Sequence, residues 1–439
     1  MLIITFVIVI IPLEKDIFAG DIMSIITDLT RMWLTRSRRP FTFTSDFDKV
    51  LEYKDSENLG LYIHIPFCRN LCNFCPYCKT VYSDEAAQRY IDALIREIHM
   101  VGGMIEGKKT VTSLYFGGGT PALVADRLSE IIDAVNEHYV ITEGIGLELH
   151  PDNVRADVLR KLKDAGVTKI SIGIQSFGKK YQDILGRSAV DTKKMKEALS
   201  EVSFETVSMD LIFALPDQTF EDLKEDSDIA FDIGANHVAI YPFIDFTFTS
   251  SKVRAMPKKM KRELLDKITR YFDEKGYHRD SIWTFSNKKG AKYSSMTREN
   301  FLGFGCSATT LLKDSFKINT FSVDEYIKRI DEGIIPTSLT IRFTQRQRMV
   351  YWLFWTMYST RLDSLSFEKF FGVPLKKMYG AEFRLAQLLE FIKHKDGVYT
   401  LTRKGAFYYH YYENYYTLAY IDKMWGIMRK EAFPESIKL

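Results

Sequence analysis

Residues 64–78 read His-Ile-Pro-Phe-Cys-Arg-Asn-Leu-Cys-Asn-Phe-Cys-Pro-Tyr-Cys and hold four of the five cysteines in the chain. Cys68, Cys72 and Cys75 follow the spacing C-x3-C-x2-C, so three thiolates can converge on one small object from a single loop. Three thiolates suit a [4Fe–4S] cluster with one iron left open, because such clusters are held by cysteine sulfur. An open iron can bind a further ligand, whereas a fourth thiolate would close the site. The stretch therefore favours a metal centre with Cys68, Cys72 and Cys75 as its ligands.

A structural zinc site is the alternative for this loop. Such a site usually takes four cysteine or histidine ligands, commonly as two separated pairs. The sequence has no second pair, and Cys78 would have to be the fourth ligand from the same tight loop. A disulfide framework is not typical of a chain this long with so few cysteines. The spacing therefore favours the iron–sulfur cluster.

Composition places the chain among ordinary globular proteins. It has 439 residues, of which 46% are hydrophobic, and a formal net charge of +3. This length predicts two domains, and the charge balance gives no reason to expect a nucleic-acid partner. The apolar run 2–12 is shorter than the roughly 20 residues that span a bilayer and lacks the basic lead of a signal peptide. It could be a buried strand, a peripheral segment or a mis-assigned start. No stable membrane insertion is expected, and free thiols predict a cytoplasmic location.

Short apolar runs alternate with amphipathic helical patterns between residues 60 and 245. Strands are predicted over residues 61–66, 111–116, 146–150, 169–175, 208–214 and 237–243. Helices are predicted over residues 84–102, 124–139, 153–165, 178–186 and 219–233. Near-continuous apolar strands joined by helices indicate a parallel sheet buried on both faces. Six such units predict an α/β fold, an incomplete (β/α)6 barrel. The cysteine loop follows the first strand and so lies at the carboxyl ends, where parallel barrels place their reacting groups.

The pattern changes after residue 245. Residues 255–275 are expected to form one basic helix and residues 277–285 a further strand. Over 388–402, two strand patterns flank a turn at Asp396-Gly397, and a helix is expected from Arg403, as in a small winged helix. The predicted organisation is an amino-terminal extension (1–55), a barrel (56–250), its completion with a family-specific region (251–335) and a mostly helical, winged-helix-like domain (336–439). No basic stripe marks a DNA-recognition helix, so regulation of transcription is the weakest interpretation.

The cysteine run and its lead-in, Tyr62-Ile63-His64-Ile65-Pro66-Phe67-Cys68, resemble the radical S-adenosylmethionine superfamily. They are most similar to the branch with the oxygen-independent coproporphyrinogen III oxidases, and the resemblance covers about residues 60–310. It implies the partial barrel of the radical S-adenosylmethionine type. It also implies two cofactors, a [4Fe–4S] cluster on Cys68, Cys72 and Cys75, and S-adenosylmethionine. In this family, reductive cleavage of S-adenosylmethionine yields a 5′-deoxyadenosyl radical that abstracts hydrogen from the substrate.

Several downstream motifs extend the resemblance to a cofactor site. The glycine turn 117–119 follows the second strand and lets a ligand approach the backbone closely. The fifth strand carries a pattern similar to D-L-I-x-G-L-P, in which Ala214 replaces the usual glycine. A carboxylate at the end of an apolar strand needs a partner, and an arginine can hold a carboxylate bidentately. The residues that match cofactor-contacting positions of the family are Tyr62, Phe74, Gly118, Gly119, Thr120, Glu148, Gln175, Arg187 and Asp210.

One departure separates the chain from the best-known members of the branch. Their motif resembles C-x3-C-x-F-C-x-C, whereas here the extra cysteine, Cys78, lies three residues after Cys75. The family also includes heme chaperones and heme-cleaving methyltransferases. The resemblance therefore implies a tetrapyrrole or heme as partner, a low-potential electron donor such as flavodoxin or ferredoxin, and an enzyme that modifies a porphyrin. A heme-binding chaperone without turnover is the competing class.

Three features remain open from sequence alone. Cys306 lies in Gly303-Phe304-Gly305-Cys306-Ser307-Ala308, similar to the family loop G-x-G-x-x-A, and is either a buried small residue or a thiol facing the substrate. Cys78 has the same two interpretations. The aromatic run 407–416 is expected to pack a helix, and alternatively to cover a flat macrocycle. His64 is expected to be structural, whereas His150 could touch substrate at the barrel mouth.

Overall fold

The computed structural model describes residues 28–45, 50–287 and 299–439, so the apolar run 2–12 lies outside the described residues. The strands in chain order are β1 (Thr42–Thr44), β2 (Leu59–Ile65), β3 (Phe67–Cys68), β4 (Thr80–Val81), β5 (Lys109–Val111), β6 (Leu114–Gly118), β7 (Tyr139–Ile141), β8 (Ile145–Leu149), β9 (Lys169–Gln175), β10 (Thr206–Phe213), β11 (His237–Pro242), β12 (His278–Arg279), β13 (Thr284–Ser286), β14 (Asn300–Phe304), β15 (Thr309–Leu311), β16 (Ser315–Asn319), β17 (Thr337–Arg342), β18 (Arg361–Asp363), β19 (Ile392–Lys395), β20 (Val398–Leu401) and β21 (Ser436–Lys438).

The helices in chain order are α1 (28–35), α2 (Asp84–Gly102), α3 (Leu128–His138), α4 (Ala156–Asp164), α5 (Lys179–Leu185), α6 (Thr192–Glu201), α7 (Phe220–Asp232), α8 (Lys258–Glu274), α9 (Val323–Asp331), α10 (Gln345–Tyr358), α11 (Ser364–Phe371), α12 (Leu375–Leu388), α13 (Arg403–Tyr416) and α14 (Asp422–Met428). None of the helices in these described ranges has the length and hydropathy needed to cross a membrane.

The six predicted barrel strands form the centre of the fold. They lie side by side and parallel in the order β2, β6, β8, β9, β10 and β11, with a helix or a 3-10 segment between each pair. Most of their apolar side chains are fully buried, including Ile63, Phe116, Ile172 and Met209. Burial on both faces explains why these runs are almost continuously apolar. The α/β partial barrel predicted from sequence is confirmed.

The sheet continues past the first barrel strand, which the sequence pattern did not indicate. Strand β14 pairs in parallel with β2, so that Gly303 lies beside Tyr62. Strands β15, β16 and β17 then follow as an antiparallel meander, and β1 and β21 complete that edge. This extension brings the loop between β14 and β15 next to the cysteine loop, where Cys306 contacts Cys78.

The carboxyl-terminal region contains the predicted hairpin and helix. Strands β19 and β20 pair across Asp396 and Gly397, whose positive φ angles of 50° and 81° suit a tight hairpin turn. Thr402 caps the helix that begins at Arg403. Within the aromatic run, Tyr409 is buried, stacks on Phe354 and donates a hydrogen bond to its carbonyl. The part of the run whose side chains are described therefore packs against helix α10, as predicted.

Three details of the sequence prediction are wrong. The segment 388–391 is not strand, because α12 runs to Leu388 and the strand begins only at Ile392. Residues 277–285 form an antiparallel pair, β12 and β13, instead of one strand. Helix α6 was missed because its sequence is mostly polar and it buries only Met195 and Ala198.

Candidate active site

The cysteine loop begins where β2 ends and is closed at its base. Strands β3 and β4 pair in parallel, and the Thr80 amide donates a hydrogen bond of 2.7 Å to the carbonyl of Pro66. Inside the loop, the Lys79 ammonium donates to the carbonyls of Cys72 and Cys75, both at 2.7 Å. Because these contacts use main-chain groups, the thiols stay available. Cys68, Cys72 and Cys75 are half-buried and form no disulfide.

The raised pKa values of Cys68 and Cys72 favour a bound metal at these thiols. Burial raises the pKa of Cys68 to about 11, the Thr120 hydroxyl at 3.8 Å from its Sγ lowers it, and Cys75 and Cys72 raise it further. Burial also raises the pKa of Cys72, although the positive charge of Arg187 opposes the shift. Without a metal Cys68 and Cys72 would hold their protons, and a bound metal cation is the group that stabilises such thiolates. The three sulfur atoms thus form a ligand set that fits an iron–sulfur cluster.

The glycine turn at the end of β6 is required by close packing. A Cβ at Gly118 would lie 2.7 Å from the Ile65 carbonyl oxygen, and one at Gly119 would lie 2.6 Å from the Phe67 carbonyl oxygen. Gly118 also has a φ angle of 123°, which side chains rarely adopt. The Gly119 amide donates to Ile65, so the turn and the start of the cysteine loop touch through their backbones. The turn therefore positions Cys68.

We expect alanine at Gly119 to destabilise the protein and to impair metal binding together. The neighbouring atoms are backbone, so they cannot rotate away, and overpacking of this kind costs about 1–3 kcal/mol. Thermal unfolding and iron content after anaerobic reconstitution should both fall. Gly380→Ala is the matched control, because its new Cβ would meet only Lys376, at 3.9 Å, inside a helix. Equal iron content in both variants would contradict this role of Gly119.

Two carboxylates lie on neighbouring parts of the barrel mouth. Glu148 at the end of β8 accepts hydrogen bonds from the Tyr115 hydroxyl at 3.1 Å and from the Gly118 amide at 3.2 Å. Asp210 on β10 accepts from the Ser171 hydroxyl at 3.0 Å. Burial raises the pKa of both groups, and the charge of Glu148 helps to raise that of Asp210 to about 7. Two close, partly satisfied carboxylates suit a ligand that brings hydroxyl groups or positive charge.

Arg187 supplies the opposite charge. It follows helix α5, and Nη2 of its guanidinium is buried without a hydrogen-bond partner among the described residues. Its charge acts on Cys72 and, together with burial, lowers the pKa of His150 to about 4. Gln175, at the end of β9, has a positive φ angle of 73°. Its amide nitrogen and Nη1 of Arg187 both lie beside Gly173, since a Cβ at Gly173 would lie 3.0 Å from the first and 3.9 Å from the second. A buried, unpaired guanidinium fits a carboxylate ligand beside the cysteines.

The aromatic residues of the predicted site lie in two places. Tyr62 stacks on Tyr115 at 6.4 Å and hydrogen-bonds Nδ1 of His64 at 3.0 Å. Phe74 instead packs into a small cluster around Tyr181 and Leu215. His64 holds the far end of the cysteine loop, because its Nε2 lies 2.9 Å from the Cys78 carbonyl. This contact confirms the structural role expected for His64.

Sequence reasoning missed two tyrosines, Tyr77 and Tyr241. They expose 53% and 39% of their surfaces, yet burial raises the pKa of both hydroxyls. The charges of Glu148 and Asp210 also raise the pKa of both hydroxyls, so the two tyrosines lie beside the two carboxylates. Tyr241 could have been suspected, since it lies near the carboxyl end of a barrel strand.

The remaining thiols lie elsewhere. Cys78 does not join Cys68, Cys72 and Cys75, because it donates to the Phe321 carbonyl and contacts Cys306. Trp425 on α14 approaches the loop at Tyr77, with ring centroids 6.0 Å apart.

Comparisons with known proteins agree with this geometry. Residues 62–230 match the family model described as the radical SAM superfamily. The heme chaperone HemW of Bacillus subtilis is 25% identical over 78% of this chain and 95% of its own length. An oxygen-independent coproporphyrinogen III oxidase of Cereibacter sphaeroides is 28% identical over 63% of this chain and 68% of its own. The solved structure of the Escherichia coli coproporphyrinogen III oxidase, a radical SAM enzyme, aligns with a TM-score of 0.72 and 22% identity. It covers 85% of this chain and 94% of that one.

The superfamily uses a [4Fe–4S] cluster and S-adenosylmethionine, and the residues present fit both groups. Three half-buried thiols without a disulfide suit the cluster, and the unpartnered guanidinium of Arg187 with two carboxylates suits an amino acid that carries a sulfonium and a ribose. Residues 62–230 thus form a radical SAM domain, and the chain is similar over most of its length to the heme chaperone HemW and to oxygen-independent coproporphyrinogen III oxidases.

Proposed function

We propose that the protein is a radical S-adenosylmethionine enzyme that modifies a porphyrin or a related tetrapyrrole. The observation that carries this proposal is the pair Tyr77 and Tyr241, which are partly exposed and lie beside the paired carboxylates. Tyrosine faces suit a flat conjugated ligand, and their hydroxyls can bind its polar edge. The names of the relatives point to the same chemical class, since they include coproporphyrinogen III oxidases and a heme chaperone.

Different residues of the site would bind the cluster and the parts of S-adenosylmethionine. Cys68, Cys72 and Cys75 would hold the cluster, while Arg187 would orient the carboxylate of S-adenosylmethionine. Gly118, Gly119, Thr120 and Gln175 would support its amino-acid part, and Glu148 and Asp210 would face its hydroxyls and positive charge. Tyr62 and Phe74 would flank the ligands. When bound, the cluster and S-adenosylmethionine supply a 5′-deoxyadenosyl radical. The protein supplies position and excludes water from the radical.

The rim of the site offers a group for acidic substituents. Arg429, directly after α14, donates to the Pro76 carbonyl, and its guanidinium lies 4.8 Å from the ring centroid of Phe248. The charges of Cys78 and Cys75 act on the Arg429 guanidinium, which therefore lies beside the cysteine loop. An exposed guanidinium among aromatic rings suits the carboxylate edge of a flat ligand. A low-potential electron donor such as flavodoxin or ferredoxin would complete the system.

Anaerobic assays would test the proposal. Reconstituted protein would be incubated with S-adenosylmethionine, a strong reductant and either coproporphyrinogen III or heme, and products would be identified by mass spectrometry. An enzyme forms 5′-deoxyadenosine together with a decarboxylated, methylated or ring-opened tetrapyrrole. The Cys72→Ala variant is the matched control and should form neither. Absence of 5′-deoxyadenosine from protein with an intact, reduced cluster would refute the enzymatic function.

A heme chaperone is the second candidate, because the Bacillus subtilis heme chaperone aligns over 95% of its length. It predicts stoichiometric binding of heme with unchanged heme mass after reduction. The two candidates therefore differ in one measurement, the mass of the recovered tetrapyrrole.

The affinity for S-adenosylmethionine should depend on pH through Asp210. The pKa of this carboxyl is about 7, so it is mostly ionised at about pH 8 and mostly protonated at about pH 6. A protonated carboxyl no longer attracts a cationic ligand, so affinity should fall about tenfold over this range. Anaerobic calorimetry at constant ionic strength measures the change.

Two variants make this test specific. Asp210→Asn should bind S-adenosylmethionine more weakly and lose most of the pH dependence. Asp157→Asn should keep it, because Asp157 pairs with Arg155 at the surface and its pKa is lowered to about 2. An identical pH profile in Asp210→Asn and the parent protein would show that another group titrates.

A further inference from the structure

Two cysteines remain outside the cluster site, and they meet each other. Cys78 and Cys306 are 228 residues apart in sequence, yet their Sγ atoms lie 4.0 Å apart. Cys78 ends the cysteine loop, and Cys306 lies between β14 and β15. Their side chains are 7% and 0% exposed, so the contact is not a chance approach of two surface thiols. The five thiols thus divide into a set of three beside the cofactor carboxylates and a buried pair behind them.

We propose that Cys78 and Cys306 form a reversible disulfide that links the cysteine loop to the loop between β14 and β15. A disulfide needs an S–S separation of about 2.05 Å, so the sulfur atoms must approach by roughly 2 Å. Rotation about a single Cα–Cβ bond moves a sulfur atom by that distance. Hydrogen bonds fix the backbone of Cys306 relative to strand β2 while the side chains rotate. The Cys306 amide donates to the Tyr90 hydroxyl at 2.9 Å, and that hydroxyl donates to the His64 carbonyl at 2.8 Å.

The surroundings make the two thiols unequal. Cys78 is the more exposed thiol of the pair, and its hydrogen bond with Cys306 lowers its pKa. Burial raises the pKa of Cys306. Because of this difference, Cys78 should be oxidised first, and Cys306 should then react with the oxidised Cys78 to form the disulfide. A reactive cysteine beside a resolving cysteine is typical of redox-sensitive pairs. The oxidant has to be small because so little of Cys78 is exposed, and hydrogen peroxide meets that condition.

The reaction balances without another reagent. The Cys78 thiolate attacks one oxygen of hydrogen peroxide, the O–O bond breaks, and hydroxide leaves and takes up a proton as water. Cys306 then attacks the sulfur of the Cys78 sulfenic acid, the S–O bond breaks and a second water leaves. Two thiols lose two protons and two electrons, and one peroxide becomes two waters. A dithiol reductant reverses the bond by thiol–disulfide exchange.

A zinc site is the competing interpretation of the same atoms. His64, Cys78 and Cys306 place ligand atoms within 4.8 Å of one another. Both ring nitrogens of His64 already have partners, however: Nδ1 with the Tyr62 hydroxyl and Nε2 with the Cys78 carbonyl. Three ligands also fall one short of a closed structural zinc site. The geometry therefore favours the dithiol.

Mass spectrometry of the full chain tests the proposal independently of enzymatic activity. Anaerobically purified holoprotein would be treated with hydrogen peroxide, alkylated under denaturing conditions and digested with trypsin. Cys306 is then carried on peptide 299–313, and Cys78 shares peptide 70–79 with Cys72 and Cys75. We expect these two peptides to be linked, with alkyl groups on Cys72 and Cys75 and none on Cys78 or Cys306. The linked pair should be two hydrogens lighter than the sum of the peptides so alkylated and be separated by dithiothreitol, with fragment ions that place the bond at Cys78.

Two variants separate this result from scrambling of the cluster cysteines. The full chain with Cys68, Cys72 and Cys75 changed to serine should form the same bond, because only the buried pair remains. In Cys306→Ala, the Cys78 sulfenic acid should accumulate and be trapped by dimedone. Recovery of Cys78 and Cys306 as alkylated thiols after peroxide has oxidised the other three cysteines would overturn the proposal. Cross-linking of Cys306 mainly to Cys72 or Cys75 would do the same, as would about one zinc per chain that disappears in Cys306→Ala.

Discussion

Alanine at Cys68, Cys72 or Cys75 is expected to abolish cleavage of S-adenosylmethionine and to remove most of the iron from the protein. Each thiol is one of three ligands, and none of the described neighbours could replace it, because Cys78 is held by Phe321 and Cys306. A cluster held by two thiolates is exposed to solvent and oxidant on the side of the missing ligand. Iron and sulfide content, visible absorption and 5′-deoxyadenosine formation under strong reductant measure the loss.

Cys78→Ala is the matched control for this experiment. It removes a thiol from the same loop, three residues after Cys75, yet its Sγ takes no part in the triad. It should keep its iron and form 5′-deoxyadenosine at a rate close to that of the parent protein. If Cys78→Ala lost its iron while one of the other variants retained it, the assignment of the three ligands would be wrong.

The cysteine spacing and the barrel could be predicted because both depend on neighbours in sequence. A C-x3-C-x2-C run places three thiols on one loop whatever the rest of the fold does, and each buried parallel strand carries its own apolar signature. Strand β9 was located to the residue, since Lys169 and Gln175 bound a run in which isoleucine alternates with the small residues Ser171 and Gly173. Helix α2 was located equally well because Ser83 caps it and its apolar residues repeat at helical spacing.

What could not be predicted depends on residues that meet only in the folded chain. No local pattern relates Cys78 to Cys306, because their contact requires β14 to pair with β2. The same holds for Tyr77 and Tyr241, which come from the cysteine loop and strand β11 and meet beside the two carboxylates. The glycine turn was recognised for a different reason from the one found. Its amides bond to Glu148 and to the Ile65 carbonyl, and the glycines are needed because backbone approaches within 3 Å.

Replacing Arg187 with glutamine should weaken the binding of S-adenosylmethionine roughly 10–100-fold. A hydrogen bond to a charged group contributes about 1.5–3 kcal/mol. Nη2 of Arg187 has no hydrogen-bond partner among the described residues, so it can donate fully to the ligand carboxylate. Arg187→Lys keeps the charge and loses the planar fork, so it should recover part of the affinity only. Anaerobic calorimetry on protein with equal iron content measures the three dissociation constants.

Thermal unfolding separates this role from a structural one. A buried guanidinium that leaves a nitrogen unbonded costs free energy in the unliganded protein, so Arg187→Gln should melt at the same temperature as the parent or higher. Added S-adenosylmethionine stabilises a protein in proportion to the logarithm of one plus the ratio of its free concentration to Kd. The rise in melting temperature seen in the parent should therefore nearly vanish in the variant, whose Kd is higher. Arg155→Gln is the control, because its exposed pair with Asp157 contributes little to stability. A lower melting temperature in Arg187→Gln with an undiminished ligand response would mean that Arg187 supports the fold and another group holds the carboxylate.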